Sequence, residues 1–431
     1  MFVPFIFSLS TINDAPFLWW FYKGLDFSLQ NHTAIVAQEI YCKTTPSQFA
    51  AEGYQAAFIK EATERFGYKL PKNRDLKRAR LYPISDALIH EIVKEQKSLT
   101  NAFCYLLTQE DEKFMSFLDE TINQIERECG EKIEGFITLS SIPSLSEVSR
   151  RRGIPVIHFE LGCWRIPCYL NTAFLDLKNL YGGETVERRW AKFCEENKKR
   201  PFNIFSKKEC LALLLRKNQL HLLEQYDHKP TKKIGAVLGY VTYELISCKT
   251  HLNDSELLYR IKKKYTLENM LIRMHPGDPY GGQYPQYSAA IDKQKRSTPE
   301  FILDCETVIS LVSGSCIEAM LWGRKAITLL PSPSYFASGH EIEGEGLCAD
   351  ENFISFFAFC YLIPFKYLMD VDYLRWRLTN PPEREIYYKH LRFYFEKKGL
   401  PSELILSEPG TRLTEMLKLQ GYELGCGGCG Y

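Results

Sequence analysis

The chain has 431 residues, which is enough for two domains of about 200 residues each. Hydrophobic residues make up 45% of the chain and charged residues 25%, so each domain can bury a large core. The formal net charge is only +1, and no long run carries one sign. This balance argues against a nucleic-acid partner bound through a basic surface.

The apolar segments of the sequence are too short or too interrupted to cross a bilayer. Met1–Ser10 lacks both a basic region and a cleavage site, and we expect it to form a buried first strand. The longest apolar run, 353–365, is broken by Pro364, whereas a membrane span needs about 20 residues. Fourteen cysteines without a secretory leader favour reduced thiols in the cytoplasm. Cys426 and Cys429 have metal-ligand spacing, but no second pair accompanies them, so no metal site is expected.

In the N-terminal half, the sequence pattern predicts a helix followed by a strand–helix–strand unit. In chain order, these elements are a helix over 111–127, a strand over 135–139, a helix over 144–152 and a strand over 154–159. Gly153 follows the second helix as its stop signal. A further helix is predicted over 209–225, and the polar run 227–233 indicates a domain boundary near residue 230. We therefore expect one domain over 1–229, on the acceptor side, and a second over 230–431, on the nucleotide side.

The C-terminal half repeats the alternation of strands and helices. Strands are predicted over 234–241, 270–274, 307–312 and 326–330, with helices over 255–265, 316–322 and 383–398. Such alternation predicts a parallel sheet. In parallel sheets, ligands bind beyond the carboxyl ends of the strands, so side chains placed there are the first candidates for function.

The strongest candidate motif is the turn Ser313-Gly314-Ser315 between a predicted buried strand and a helix. Glycine lets the backbone approach a ligand closely, and the two hydroxyls and the helix start can donate hydrogen bonds to a phosphate. Glu318, one turn on, can hold a ribose diol. Ser315 and Glu318 also have the spacing of a capping box, which needs no ligand, and the spacing alone does not separate the two interpretations.

A second motif, His275-Pro276, follows the predicted strand 270–274. Pro276 holds the preceding residue in an extended conformation, and an imidazole at a strand end can donate to a leaving phosphate. A lone histidine in a surface turn is the plainer alternative. Two such motifs at the strand ends of one sheet favour the functional interpretation.

A third motif is Glu160, at the end of the strand 154–159, with Arg165 shortly after it. A carboxylate at a strand end can act as a base or a nucleophile, and the guanidinium can pair with an anionic group of the substrate. The alternative is an ion pair between the two residues on a surface loop.

The histidine–proline pair and the later Ser-x-Ser before a helix that carries glutamate resemble the nucleotide-binding motifs of bacterial sialyltransferases. The segment 153–162, with Asn171-Thr172-Ala173 and Asp176 downstream, is similar to the retaining β-Kdo transferases of bacterial capsule and O-antigen assembly. The likeness covers roughly residues 130–335. It implies an α/β, GT-B-like fold with two Rossmann-like domains facing a central cleft, and a CMP-activated 2-keto sugar acid as donor.

Carried over residue by residue, the resemblance assigns the CMP phosphate to His275, Ser313 and Ser315. It places Glu318 near the ribose or cytosine, and it matches Glu160 to the acidic residue of the N-terminal domain.

One departure concerns the first strand of the C-terminal domain, where the family carries an aspartate as candidate nucleophile. Here the segment 238–244 offers only Glu244. Either Glu244 substitutes, or the catalytic scheme differs, or the protein is inactive.

The sequence therefore predicts a cytoplasmic glycosyltransferase that transfers Kdo or a related acidic sugar to a bacterial polysaccharide or lipid-linked glycan. Neither a metal nor another cofactor is expected, and neither is nucleic acid. Peripheral association with a membrane assembly complex, at the inner face of the membrane, is the expected setting. Two alternatives stay open at this point: a GT-B enzyme that uses a UDP- or GDP-sugar, and a non-catalytic transferase-like module that binds a glycan or nucleotide.

Overall fold

A computed structural model describes residues 1–9, 11–15, 17–53, 63, 68–179, 184–239, 252–275, 284–294 and 296–422. The chain divides into two compact units. Unit 1 comprises 1–160, 175–179 and 368–378; unit 2 comprises 161–174, 180–367 and 379–431. This division does not coincide with the expected boundary at 229/230. The assignment of an acceptor-side and a nucleotide-side domain stays a prediction.

The described strands are eleven. They are β1 Phe2–Ile6, β2 Ala34–Gln38, β3 Arg80–Ile84, β4 Gly135–Thr138, β5 Val156–Leu161, β6 Thr172–Asp176, β7 Lys232–Val237, β8 Met270–Arg273, β9 Cys305–Ser310, β10 Lys325–Thr328 and β11 Leu362–Pro364.

The described α-helices are seventeen. They are α1 Leu18–Asn31, α2 Glu39–Lys43, α3 Pro46–Ala51, α4 Asn73–Arg78, α5 Asp86–Gln96, α6 Leu99–Thr108, α7 Glu112–Cys129, α8 Pro143–Arg152, α9 Glu184–Lys199, α10 Lys207–Leu214, α11 Asp254–Lys264, α12 Thr298–Leu303, α13 Ser315–Leu321, α14 Glu351–Phe356, α15 Val371–Leu378, α16 Glu383–Lys398 and α17 Pro409–Leu419.

Unit 1 is built on a parallel sheet in the order β3-β2-β1-β4-β5. The chain starts in the middle of the sheet, adds strands on one side, and then crosses to the other, which is the doubly wound arrangement. Strands β1, β2 and β4 are buried along their whole length. Such strands are continuously apolar because helices cover both faces of a parallel sheet.

Unit 2 contains a second parallel sheet in the order β10-β9-β7-β8. Its core holds apolar side chains from β7, β8 and β9 together with Leu257, Leu258 and Ile261 of α11. The same unit contains the antiparallel pair of β11 with residues 172–174 of β6. The predicted α/β fold class, with a parallel sheet in each half of the chain, is confirmed.

Two buried ion pairs join the helices of unit 2. Arg412 on α17 contacts Glu209 on α10, with Nε to Oε1 at 2.8 Å, and these side chains are 1% and 0% exposed. Arg189 on α9 contacts Glu383 on α16 at 2.7 Å. Removal of one partner from such a pair leaves a buried charge uncompensated, so each pair fixes the packing of its helices.

Most predicted elements are confirmed to within two residues at their ends, but the strand predicted over 234–241 ends at Val237. The predicted helix over 209–225 is wrong in one respect: α10 ends at Leu214, Leu215 is extended, and a 3₁₀ helix follows over Lys217–Gln225. Ten described cysteines are free thiols, but Cys104 is disulfide-bonded, so the expectation of reduced thiols fails at that position. Among the described residues, no helix combines the length and the apolar character that a membrane span requires. Cys426 and Cys429 lie outside the described residues.

Candidate functional site

The candidate site begins at the carboxyl ends of three neighbouring strands of unit 2. Ala236 of β7 is paired with Ile272 of β8 on one side and with Ile309 of β9 on the other, so the three strands end at one level. The chain leaves β7 toward β8 and leaves β9 toward β10, which makes the edge between β7 and β9 a topological switch point. Ligands of open α/β sheets bind at such a crevice.

The turn that follows β9 is ordered by its own serines. The N–H of Ser315 donates to Oγ of Ser313 at 3.2 Å, and the N–H of Cys316 donates to the carbonyl of Ser313 at 3.1 Å. Within the described residues, the Ser315 hydroxyl has no hydrogen-bond partner and the Ser313 hydroxyl serves only as an acceptor. Both O–H groups are therefore available to donate to a ligand.

The capping-box alternative for this turn is wrong. The N-cap of α13 is Gly314, and no side chain caps it. Glu318, which would complete the box, points elsewhere, as described below.

Gly314 lies where a side chain would not fit. A Cβ atom built on Gly314 would come within 2.8 Å of Cβ of Cys163. Real Cβ atoms essentially never approach so closely. Glycine is thus required here by close approach of the segment 162–164, since its φ of −59° is open to any residue.

Glu318 lies on α13, which is buried from Cys316 to Leu321, and is 3% exposed. Its Oε1 accepts a hydrogen bond from the Tyr169 hydroxyl at 2.7 Å, and the indole N–H of Trp322 donates to the same tyrosine oxygen at 2.7 Å. The pKa of Glu318 is raised to about 7, because burial outweighs the opposing effects of the Tyr169 hydrogen bond and of the charges of Arg273 and Arg165. Burial is the larger effect, so a substantial share of this carboxyl group is neutral near pH 7.

Two guanidinium groups lie close enough to Glu318 to affect its titration. Arg273, the last residue of β8, is half-buried and donates from Nη1 to the carbonyl of Arg296 at 2.7 Å. Arg165 is exposed, and its guanidinium makes neither an ion pair nor a hydrogen bond with the described residues. Both positive charges favour the ionised form of Glu318.

The other predicted site residues fall in three places. His275 is half-buried and lies two residues beyond the end of β8. Glu160 is half-buried near the end of β5 and belongs to unit 1. Pro276 and Glu244 lie outside the described residues. Among the residues that the structure describes, no cluster of three or more histidine, cysteine or acidic side chains could hold a metal ion.

Sequence reasoning missed four residues around this site: Cys163, Tyr169, Arg273 and Trp322. Tyr169 is separated by 149 positions from Glu318, so no local spacing could reveal their contact. Arg273 carried a usable signal, because it is a charged residue at the carboxyl end of an otherwise apolar predicted strand.

A family model matches the N-terminal part of the chain. Residues 4–185 match the model of the Glycosyltransferase 99 family N-terminal domain. This match, over less than half of the chain, supports the resemblance to a glycosyltransferase family that the motifs predicted, and with it glycosyltransferase function. A comparison with curated proteins found no match.

Solved structures of limited likeness include two transferases from Thermosulfurimonas dismutans. The KpsC β-Kdo 2,7 transferase is 16% identical, with 65% of this chain and 90% of that chain covered, at a TM-score of 0.36. The KpsC β-Kdo 2,4 transferase is 10% identical, with 60% and 96% covered, at 0.35. Acinetobacter baumannii MurG is 10% identical, with 77% and 78% covered, at 0.27.

Proposed function

We propose that this glycosyltransferase moves Kdo, or a related acidic 2-keto sugar, from a CMP-activated donor to a bacterial polysaccharide or lipid-linked glycan. The observation that carries the proposal is that the hydroxyl groups of Ser313 and Ser315, beyond the end of β9, donate no hydrogen bond within the described residues. His275 follows strand β8 of the same sheet. The choice of CMP as the nucleotide is based on the resemblance of these motifs to those of CMP-sugar transferases.

The phosphate of CMP suits this set of neutral and weakly basic donors. CMP carries a single phosphate, so no divalent ion is needed to clamp a pyrophosphate. The Ser313 and Ser315 hydroxyls and the His275 imidazole would donate hydrogen bonds to the phosphate. These bonds would stabilise the negative charge that develops on the phosphate as CMP leaves. Strands β8 and β9 flank β7, and two strand spacings of about 4.8 Å separate their ends by roughly 10 Å. The side chains of the two motifs would therefore have to reach toward each other across this gap to contact one phosphate.

The acidic group of the sugar would be recognised by a guanidinium. The Arg165 guanidinium is exposed and makes no hydrogen bond or ion pair with the described residues, and a carboxylate binds arginine through two parallel hydrogen bonds. Arg273 contributes positive charge from within the sheet, although one of its N–H groups already serves the Arg296 carbonyl. Glu318 would act at the ribose only in the ionised form, in which its Oε1 already accepts from Tyr169.

The chemistry would proceed by double displacement, as the resemblance to retaining enzymes implies. A carboxylate attacks the anomeric carbon as CMP leaves, and the acceptor hydroxyl then displaces that carboxylate. We assign Glu160 as the group that manages the acceptor proton and Glu244 as the nucleophile. The reaction would take place in the cytoplasm, with the acceptor presented at the inner face of the membrane.

The donor is tested by thermal unfolding with CMP, UDP and GDP, each with and without EDTA. A nucleotide at 100 times its dissociation constant adds about 2.7 kcal/mol to the free energy of unfolding. We expect the largest shift of melting temperature with CMP and no effect of EDTA.

Ser315→Ala should reduce the CMP shift, and Ser402→Ala, an exposed serine with no described partner, is the matched control. Greater stabilisation by UDP with a divalent ion than by CMP would refute the proposal and favour a UDP-sugar enzyme. Saturable CMP binding without turnover of CMP-Kdo would favour the binding-module alternative.

A further inference from the structure

A pocket of about 370 Å³ lies in unit 2, away from the Ser313 turn. It is lined by Leu170, Arg216, Lys217, Asn218, Lys397, Lys398, Leu419 and Gln420. Four of these eight residues are cations, and none is a carboxylate. The volume falls within the range of small-ligand sites.

The cations of this pocket lack counter-charges. Arg216, Lys217, Lys397 and Lys398 form no ion pair with any described residue. The only described side-chain hydrogen bond of Arg216 is a long one, 3.5 Å, from Nη1 to the carbonyl of Pro167. Elsewhere on the surface of unit 2, lysines such as Lys199 and Lys208 do pair with acidic neighbours.

Lys398 has a structural role that accounts for its own position. Its ammonium donates to the carbonyls of Ala212 and Leu215, at the end of α10, and to Oε1 of Gln420. It thus satisfies carbonyl groups that a helix end leaves without partners. Burial lowers the pKa of Lys398 to about 7, because its partners are neutral groups. The case for a ligand therefore depends on the other three cations.

Helix dipoles explain only part of the positive charge. Three helices, α10, α16 and α17, end at this pocket. Each carboxyl end carries roughly half a negative charge, so together they offset about 1.5 positive charges. Arg216, Lys217 and Lys397 supply three charges without counting Lys398. A positive excess of at least one charge remains, and an anion can neutralise it.

We propose that this basic pocket binds a phosphate group of a ligand distinct from the sugar donor. Arg216, Lys217 and Lys397 would contact the phosphate, and the side-chain amide of Asn218 can donate a further hydrogen bond. Leu170 and the half-exposed Leu419 would contact an apolar part of the same ligand. The ligand is accordingly a phosphomonoester or phosphodiester with an apolar portion, either soluble or presented as a lipid headgroup.

The test compares two double variants that change the net charge equally. Lys217→Glu with Lys397→Glu reverses two exposed cations of the pocket, whereas Arg392→Glu with Lys94→Glu reverses two exposed, unpaired cations outside it. Titration calorimetry with inorganic phosphate at constant ionic strength measures the affinity for a soluble phosphate. Co-sedimentation with vesicles of phosphatidylglycerol in phosphatidylcholine, compared with vesicles of phosphatidylcholine alone, measures binding to a lipid headgroup. His275→Ala is included to separate binding at the Ser313 turn.

We expect the pocket variant to bind phosphate or the anionic vesicles at least about 10-fold more weakly than the wild type, since each charge-assisted hydrogen bond contributes about 10- to 150-fold. The control variant should retain binding, and His275→Ala should lose only the phosphate bound at the Ser313 turn while keeping binding at the basic pocket. Loss confined to the vesicle assay identifies a lipid headgroup, and loss in the calorimetric assay identifies a soluble phosphate. Equal binding by the pocket variant and the control in both assays would overturn the proposal, as would loss of phosphate binding in His275→Ala alone.

Discussion

Replacement of Glu318 by glutamine should abolish a pH dependence of stability that this residue introduces. Its pKa is about 7 in the folded chain, against 4.5 for an unperturbed glutamate, because burial disfavours the charged form. The folded state therefore holds a proton that the unfolded state releases between pH 4.5 and 7, and stability falls as the pH rises through that window. At about 1.36 kcal/mol per pH unit over roughly 2.5 units, the loss is about 3 kcal/mol.

The glutamine variant can keep the acceptor for the Tyr169 hydroxyl without a titratable group. We expect its free energy of unfolding to match the wild type near pH 4.5 and to exceed it by about 3 kcal/mol near pH 8. Urea unfolding at a series of pH values measures both curves. Glu403→Gln, at an exposed position with no described partner, is the control and should follow the wild type. Parallel curves for Glu318→Gln and the wild type would refute the argument from burial.

The remaining predictions concern the proposed chemistry and the packing of unit 2. His275→Ala should weaken CMP binding by about 10- to 150-fold in calorimetry; unchanged affinity and turnover would make it a turn residue. Glu160→Gln should lower turnover of CMP-Kdo by about 10²–10⁴-fold with CMP binding retained. Glu244→Gln should cost at least as much, and near-normal activity would leave the nucleophile unidentified. Arg412→Ala should lower the free energy of unfolding by about 3–5 kcal/mol in urea, because Glu209 is 0% exposed and would lose its partner; a loss below 1 kcal/mol would contradict this.

The strands and helices of the second sheet could be predicted because their signals are local. Strand β8 is a short apolar run, and Gly323 ends the helical segment that contains α13 with a φ of +72°. A left-handed position after a helix strongly favours glycine, so the sequence marks the helix end directly. The same reasoning located the end of α8 at Gly153, whose φ is +68°.

The predicted helix over 209–225 failed because periodicity does not report tertiary hydrogen bonds. The chain turns extended at Leu215, where the N–H of Arg216 donates to the carbonyl of Cys168. Lys398 binds the carbonyl of Leu215 from another helix. Partners more than 40 positions away thus compete with continued helix, and a local window of sequence contains neither of them.

The candidate site was predictable in position but not in detail. A hydroxyl-rich turn after a buried strand could be located from sequence, because parallel strands end at one edge. The interpretation of Glu318 could not be decided, since both a capping box and a ligand contact share its spacing. The structure gives a third outcome, a buried hydrogen bond with Tyr169, which only the fold brings within reach.

One short segment explains why the residues that surround the candidate site could not be predicted from motifs. Residues 161–174 of unit 2 place Cys163 against Gly314 and bring Tyr169 to Glu318. The same segment contributes Leu170 to the basic pocket. Its backbone is held in turn by α10, whose Leu214 carbonyl accepts from the N–H of Leu170 at 2.7 Å. The shape of the Ser313 turn therefore depends on contacts that originate well before strands β7–β10. A motif search confined to those strands finds the candidate donors but not the residues that position them.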